Sequence, residues 1–420
     1  MLKRLRLKDF KSFVDEEVTL APLTLLVGAN ASGKSNFLDA LRFLHATNFD
    51  LGMAEILNGE ERAGPDAWPG IRGRAPEAAR VGTSCFTIES TWLVPHPDEL
   101  PESRDFRPGG KRVNVTHGIT CRTGPHPRLD AESMTKGDGD PLFKTGGVSG
   151  NRIEVPWKPM QPSRSENASS MLLDADRTLL WTILGSITSA SPQVPEQVSA
   201  YATGLATALR LISVLDIRPE VMRGYGRRGT TLGVDGSNVS GVLAQLCDEP
   251  EAKRGFVDWL AEFCAPEITD LDFVEIKELG DVMAMFVEKG GKRISARSLS
   301  DGTLRFLGIL LALRTAEPGT VILMEEVDTG LHPTRVRLLV EYLETVTRER
   351  EIQVIATTHS PVILQWLSPE ALRSSLVFGR VPEHEGTLVR RLGDLPHFDE
   401  VAQHKGIDEL FTTGWMEMAL

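Results

Sequence analysis

The chain has 420 residues, of which 41% are hydrophobic and 25% charged, an ordinary globular composition with length for roughly two or three domains. A formal net charge of −12 excludes a molecule-wide basic footprint for nucleic acid. Only local patches remain for that purpose, at Lys3, Arg4, Arg6, Lys8 and Lys11 and at Arg223, Arg227 and Arg228. Cys85, Cys121, Cys247 and Cys264 are widely spaced with no C-x-x-C pair, which reads as free thiols in a reducing compartment, not a disulfide frame or a zinc site. Charged residues interrupt the N-terminal leucines and no run approaches ~18 apolar residues, so a cytoplasmic protein without membrane contact is expected.

Residues 2–9 interleave apolar and basic side chains, as an amphipathic strand does, and Val18-Thr19-Leu20 leads toward the apolar run Pro22-Leu23-Thr24-Leu25-Leu26-Val27, a buried strand. A helix then runs to about His45 or Ala46. From Thr47 to about Gly291 the character changes. Residues 58–80 are rich in Gly, Pro and charge, and strands are expected at 85–94, 112–121 and 151–156. Few large apolar groups lie in 124–150, which reads as a mobile loop. Helical spacing predicts helices over 170–189 and 197–215, the second with Leu205, Ala208, Leu209, Ile212 and Leu215 on one stripe, and further helices at 238–247 and 251–264. Residues 271–278 and 281–288, separated by Leu279-Gly280, read as a hairpin. Sustained heptads and internal repeats are missing, which argues against a long coiled-coil arm.

The last third is dense with signals. Leu304 to Leu313 is a buried helix, Val321-Ile322-Leu323-Met324 a buried parallel-type strand, 334–348 an amphipathic helix and Gln353-Val354-Ile355-Ala356-Thr357 another strand. A hairpin of 374–381 with 386–392 and a closing helix near 398–412 complete the reading. Strands alternating with helices imply an α/β fold around a parallel sheet.

Four motifs carry chemistry. Gly28-Ala29-Asn30-Ala31-Ser32-Gly33-Lys34-Ser35 matches G-x-x-x-x-G-K-[ST] between a buried strand and a helix. Glycine lets the backbone close on phosphate oxygens, main-chain N–H groups present partial positive charge, Lys34 adds a full charge and the Ser35 hydroxyl suits Mg²⁺. Ser298-Leu299-Ser300-Asp301-Gly302-Thr303 opens the buried helix, with Ser300 at the N-cap. Glu325 and Glu326 end the strand at 321–324, and alternation sends them to opposite sides, one for Mg²⁺ and one to hold a water for attack on a γ-phosphate. Asp328 and Gly330-Leu331-His332-Pro333 follow, and His359 ends the next strand at the edge where α/β sheets bind ligands.

In this order the motifs resemble the ABC-type ATPase head of the SMC, RecF and OLD families. Asp9-Phe10-Lys11-Ser12-Phe13, Gly33-Lys34-Ser35-Asn36, Leu331-His332-Pro333 and Thr358-His359-Ser360-Pro361 look most like small prokaryotic AAA-family ATPases of the OLD and RecF kind, many of which belong to anti-phage defence. The resemblance implies a mixed sheet with flanking helices and an antiparallel β subdomain. Residues 1–46 and 291–420 would form the head, and 47–290 a β-plus-helical insertion. It also implies that Gly28, Asn30, Ala31, Ser32, Gly33, Lys34, Ser35 and Asn36 bind ATP, and that Ser35 and Glu325 hold Mg²⁺. Glu326 would be the general base and His359 the switch residue. Ser300 and Gly302 would reach the γ-phosphate of a partner subunit, with Asp328 at the seam, so that ATP is sandwiched in a head-to-tail homodimer.

Three departures qualify the resemblance. Glu325 stands where the family carries aspartate, which implies slow turnover. No glutamine precedes Gln161, so the family's glutamine loop has no clear counterpart. About sixty residues follow His359, too few for the Toprim nuclease domain of OLD proteins, so the effector is expected on a separate chain encoded nearby. Two other readings compete: a RecF-like clamp in DNA repair, prompted by the basic patches, and an ATP-glued scaffold with negligible turnover, prompted by Glu325.

Overall fold

The computed structural model describes residues 1–60, 67–97, 110–137, 139–156, 170–188, 194–264, 268–381 and 384–420. Gln161 lies outside the described residues. Strand β1 (Leu2–Lys8) pairs antiparallel with β2 (Asp15–Thr19). Leu2 and Leu5, three apart, both face the core because the pairing of β1 with a later strand shifts register between Leu2 and Arg4. Next comes β3 (Leu23–Val27), buried throughout, then the glycine-rich loop and helix α1 (Lys34–Ala46). After the short helix α2 (Met53–Asn58) the chain forms β4 (Cys85–Pro95), β5 (Arg112–Arg122), β6 (Arg128–Lys136) and β7 (Asp140–Lys144). These build a six-stranded antiparallel sheet in the order β2-β1-β4-β5-β6-β7.

The expected mobile loop at 124–150 is therefore largely strand. Two features hide it from the sequence. The β5–β6 register shifts between Thr120 and Cys121, which breaks the period of two, and one buried position of β6 is a glutamate, Glu132. That carboxylate accepts from His117 Nε2 (2.7 Å) and from the main-chain N–H groups of Leu179 (2.6 Å) and Leu180 (3.2 Å), so its burial is compensated.

Strands β8 (Val148–Ser149), β9 (Arg152–Pro156) and β10 (Ser170–Asp174) form a three-stranded sheet, followed by α3 (Leu179–Thr188) and α4 (Glu196–Arg210). Both helices are shorter than the spacing predicts. Residues 170–174 pair with β9, and 212–215 form β11 (Ile212–Leu215), parallel to the strand at 321–324. Ile212 and Leu215 are three residues apart and both buried, a pattern that continues a helical stripe in the sequence even though the backbone is extended.

A small sheet joins β12 (Gly226–Arg227) to a hairpin that follows helices α5 (Val239–Leu246) and α6 (Pro250–Cys264). The hairpin, β13 (Ile268–Ile276) and β14 (Asp281–Glu288), turns at Gly280 as expected, and β15 (Arg293–Ser295) adds to its far edge. Then α7 (Asp301–Thr315), β16 (Val321–Met324), α8 (Pro333–Glu349) and β17 (Gln353–Thr357) alternate. Short helices α9 (Pro361–Trp366) and α10 (Pro369–Ser374) lead to the antiparallel pair β18 (Leu376–Gly379) and β19 (Leu388–Arg391). The closing helix is broken at Lys405-Gly406 into α11 (Phe398–His404) and α12 (Ile407–Thr412), and α13 (Trp415–Met418) ends the described chain.

The central sheet has the order β11-β16-β17-β3-β18-β19, parallel except for β19. It separates two cores. Leu26, Val321, Leu323, Ile355, Leu376 and Phe378 face α1 and the antiparallel sheet, whereas Leu25, Val27, Ile322, Met324, Val354, Ala356 and Val377 face α7 and α8. Burial on both faces explains why these strands read as continuous apolar runs. Gln353, 1% exposed, stitches the layers together: Leu2 N–H donates to its Oε1 (2.9 Å), and its Nε2 donates to the carbonyls of Leu2 (2.9 Å) and Ala21 (3.0 Å). Replacing Gln353 with Leu strands the buried N–H and carbonyl of Leu2, while Thr24 Oγ1 still donates to the Ala21 carbonyl, and should lower the unfolding free energy by about 2 kcal/mol; equilibrium urea denaturation checks this, and an unchanged midpoint would contradict it.

Candidate functional site: a phosphate loop facing paired carboxylates

Three neighbouring parallel strands end at one edge of the sheet. Met324 lies opposite Ala356, and Ala356 opposite Leu25, so the loop after β3, the acids after β16 and the histidine after β17 emerge side by side. That edge is where α/β sheets place ligands.

The loop has the backbone a cradle needs. Gly28 and Gly33 have φ of 142° and 112°, and Ala31 sits at 61°. A Cβ at Gly28 would collide with the Phe378 carbonyl, and one at Gly33 would lie 2.6 Å from Thr387 Oγ1. Both glycines are therefore required by conformation and by space. Thr387, fully buried, donates to the Ser32 carbonyl (2.9 Å) and shares a hydroxyl–hydroxyl bond with Ser12 Oγ (2.9 Å), while Asn36 Nδ2 donates to Ser12 Oγ (2.9 Å). Asn36 thus braces the loop from behind. Lys34, 5% exposed, donates from Nζ to the carbonyls of Gly28 (2.6 Å) and Ala29 (2.8 Å). Burial pushes its ammonium down to about 8, against the pull of the Glu417 and Glu326 carboxylates. Among the described residues Ser32 Oγ is buried without a hydrogen-bond partner, and Asn30 and Ala31 are exposed at the loop's tip.

Across from the loop, Ser35 Oγ donates to Glu325 Oε2 at 3.4 Å, so the two groups expected to hold Mg²⁺ meet. The longer glutamate is gripped by two arginines that the sequence reading missed: Arg42 Nη2 donates to Oε1 (3.1 Å) and Arg72 Nη1 to Oε2 (3.2 Å). Both arginines also reach Asp39, at 3.4 Å and 3.0 Å, and Lys11 Nζ donates to it at 2.5 Å. Asp39 is fully buried. The signal was a lone acid within the buried stretch Phe37-Leu38-Asp39-Ala40-Leu41.

Glu326 points the other way, exposed, in the left-handed conformation at φ 47°. Its N–H donates to Thr357 Oγ1 (2.8 Å), and Thr329 Oγ1 donates to its Oε2 (3.0 Å). Arg305 of α7 donates to the carbonyls of Glu325 (3.3 Å) and Glu326 (3.1 Å), tying this turn to the next motif's helix. A non-glycine residue held at positive φ by this many contacts is a strained position of the kind that clusters at active sites.

Asp328 is turned inward. Thr358 Oγ1 donates to it at 2.9 Å, and burial raises its carboxyl above the usual range. With Thr329, Leu331, Val336, His359 and Ser360 it lines a groove of about 320 Å³, and His359 is exposed at the groove's edge. Ser300 caps α7, accepting from Thr303 N–H (3.2 Å), and is exposed. Gly302 packs on the 328–331 turn: a Cβ there would lie 2.6 Å from the Gly330 carbonyl.

The fold and this edge define an ABC-type P-loop ATPase head. Two family models match the segments that carry the motifs: one for an AAA domain, putative AbiEii toxin, type IV TA system, over residues 163–365, and one for an AAA ATPase domain over residues 1–74. An OLD nuclease from Thermus scotoductus is 23% identical over 381 residues, 89% of this chain and 61% of the relative. A DNA replication and repair protein RecF from Thermosynechococcus vestitus is 43% identical over 68 residues, 15% of this chain and 17% of that protein. The chain thus spans less than two thirds of the length of these relatives. Among solved structures, the SMC head domain from Thermotoga maritima (14% identity, 93% of this chain and 98% of that one, TM-score 0.40) and an Smc head bound to the C-winged helix domain of ScpA (14%, 93% and 97%, 0.46) are distant likenesses. By these matches the chain is similar to AAA-type ATPases and to proteins of the OLD and RecF kind.

Asp39→Asn should cost about 3–5 kcal/mol, because it leaves Lys11, Arg42 and Arg72 around a neutral buried group. Chemical denaturation measures this; a loss below about 1 kcal/mol would show that the cluster is not held by Asp39.

Proposed function

We propose that the protein binds and hydrolyses ATP with Mg²⁺, that ATP joins two copies head to tail, and that this cycle regulates a nuclease-type effector in anti-phage defence. The observation that carries the reading is the turn after β16. One carboxylate there meets the serine of the phosphate loop, and the next is held at positive φ beside the loop and His359.

The residues present fit a magnesium polyphosphate: a loop whose glycines leave no room for a Cβ, a buried unpartnered Ser32 hydroxyl and a serine–carboxylate pair. Lys34 and the loop amides would hold the β and γ phosphates, and Ser35 with Glu325 the metal, which neutralises charge on the phosphate oxygens when bound. Glu326 takes the proton from the attacking water, with Thr329 orienting its carboxylate. His359 hydrogen-bonds the γ-phosphate. Exposed Ser300 and the N–H groups that open α7 offer an anion site to a second copy. The effector role rests on the likeness to an OLD nuclease.

Arg42 and Arg72 hold Glu325 near Ser35 and so favour slow turnover over none. The DNA-clamp reading is weakened because several of its arginines are engaged in ion pairs. Arg4 pairs with Glu17 and Glu89, Arg6 with Asp15, and Arg228 with Asp248 and Glu275.

Steady-state phosphate release tests the reading. Lys34→Ala should abolish ATP binding, and Glu326→Gln should bind ATP like the parent while turning over about 10²–10⁴-fold more slowly. Unchanged turnover in both would reject the ATPase, and no release from the parent protein would favour the scaffold.

A pH dependence follows from Lys34. Its value of about 8 lies below the ordinary 10.5 because burial disfavours the charged form. A bound polyphosphate favours that form, so binding takes up a proton where the free protein has lost it. Proton uptake should be near zero below about pH 7, grow as pH rises through 8, and be accompanied by weakening affinity. Titration calorimetry in buffers of different ionisation enthalpy reads both, and affinity that rises with pH would contradict the assignment.

A further inference from the structure

The segment 216–225 leaves β11, the edge strand beside β16, and reaches the N-terminal end of α7. It is held on both sides. Asp216 N–H donates to the Val234 carbonyl (2.8 Å) and Arg218 N–H to the Asp235 carbonyl (3.0 Å), while Ser240 Oγ donates to the Gly224 carbonyl (3.3 Å). Ile217 and Met222 are buried against Gly308 of α7, where an added Cβ would lie 2.9 Å from Ile217 Cδ1 and 3.1 Å from Met222 Cε. Arg223 therefore leaves a fixed backbone next to the helix that carries Ser300 and Gly302.

Its guanidinium spends its donors on the residues bracketing Ser300. Nη1 donates to the carbonyls of Arg297 (2.8 Å) and Leu299 (2.7 Å), and Nη2 to Asp301 Oδ1 (2.5 Å). Two acceptors precede the serine and one follows it, so the planar fork sets the bend by which the chain enters α7. Ser300 stays extended (φ −68°, ψ 155°) and exposed, its own hydroxyl bonded within the cap to Thr303. A lysine has one ammonium and no rigid fork, and cannot reproduce three bonds in divergent directions.

We propose that Arg223 is the positioning residue of the Ser300–Gly302 segment: it presents that segment to the ATP held by a second copy of the chain, and takes no part in nucleotide binding by its own loop. The inference rests on the reading that ATP is shared between two copies. It assigns a role to an arginine that the sequence placed in a basic patch for nucleic acid.

Three variants separate the inference from the reading beneath it: Arg223→Ala, Arg223→Lys and Ser300→Arg, each also combined with Glu326→Gln. Fluorescent-ATP titration at low protein concentration reads binding by the single subunit and doubles as the folding check. Sedimentation velocity with ATP reads association of the Glu326→Gln forms, and phosphate release against protein concentration reads the shared site. Arg223→Ala should keep nucleotide affinity within twofold, lose association and turnover at least tenfold, and need correspondingly more protein for half-maximal turnover. Arg223→Lys should fall between. Association of Ser300→Arg with ATP would overturn the shared-ATP reading itself. Loss of association by Ser300→Arg with full association of Arg223→Ala would overturn only the role of Arg223. Arg223→Ala that loses nucleotide affinity together with association would also overturn it, since the arginine would then support the fold at large.

Discussion

Main-chain hydrogen bonds between β16, β17 and β3 set Met324, Ala356 and Leu25 side by side, and the rest of the molecule depends on that register. The three strands are buried on both faces, so no polar side chain can leave the sheet along most of their length without a compensating partner. Chemistry is confined to the strand ends. Acid pair, histidine and glycine-rich loop come from positions up to about 330 residues apart in sequence, yet one shared register brings them to a single edge. A slip by one residue would turn Leu323 and Ile355 toward the wrong core and would move Glu325 away from Ser35.

Electrostatics then divides the edge in two. On the side of α1, Asp39 and Glu325 share Arg42 and Arg72, and Asp39 also takes Lys11, which keeps Glu325 beside Ser35 despite its extra methylene. On the other side, Glu326 and His359 are exposed and reach solvent directly. Lys34 lies between, its charge made costly by burial. These are the conditions under which a polyphosphate stabilises the charged lysine and the loop together.

Legibility varied with local redundancy. Long apolar strands, the glycine-rich loop and the β13–β14 turn at Gly280 were readable because each is specified by adjacent residues. Strand β6 was not, since a register shift and buried Glu132 erase its alternation, and the glutamate makes sense only beside His117 and the start of α3. Ile212 and Leu215 extended a helical stripe on paper, but parallel pairing with β16 outweighs the local preference. Arg223 and Arg228 looked alike in a basic cluster, yet one holds the entry to α7 and the other pairs with Asp248 and Glu275.

By itself the sequence determined the motifs and their placement: a glycine-rich loop with Lys34 and Ser35, a pair of acids after a buried strand, a capped helix at Ser300 and a histidine after the next strand. Those features depend on residue type and short spacing, which are local. Only the tertiary structure decided which groups serve which others. Arg42 and Arg72 go to Glu325, Thr329 to Glu326, Thr358 to Asp328, Thr387 to the loop and Arg223 to the approach of α7. A hydrogen bond needs its partners within about 3 Å, and for groups up to 355 residues apart in the chain that distance is set by packing, not by spacing.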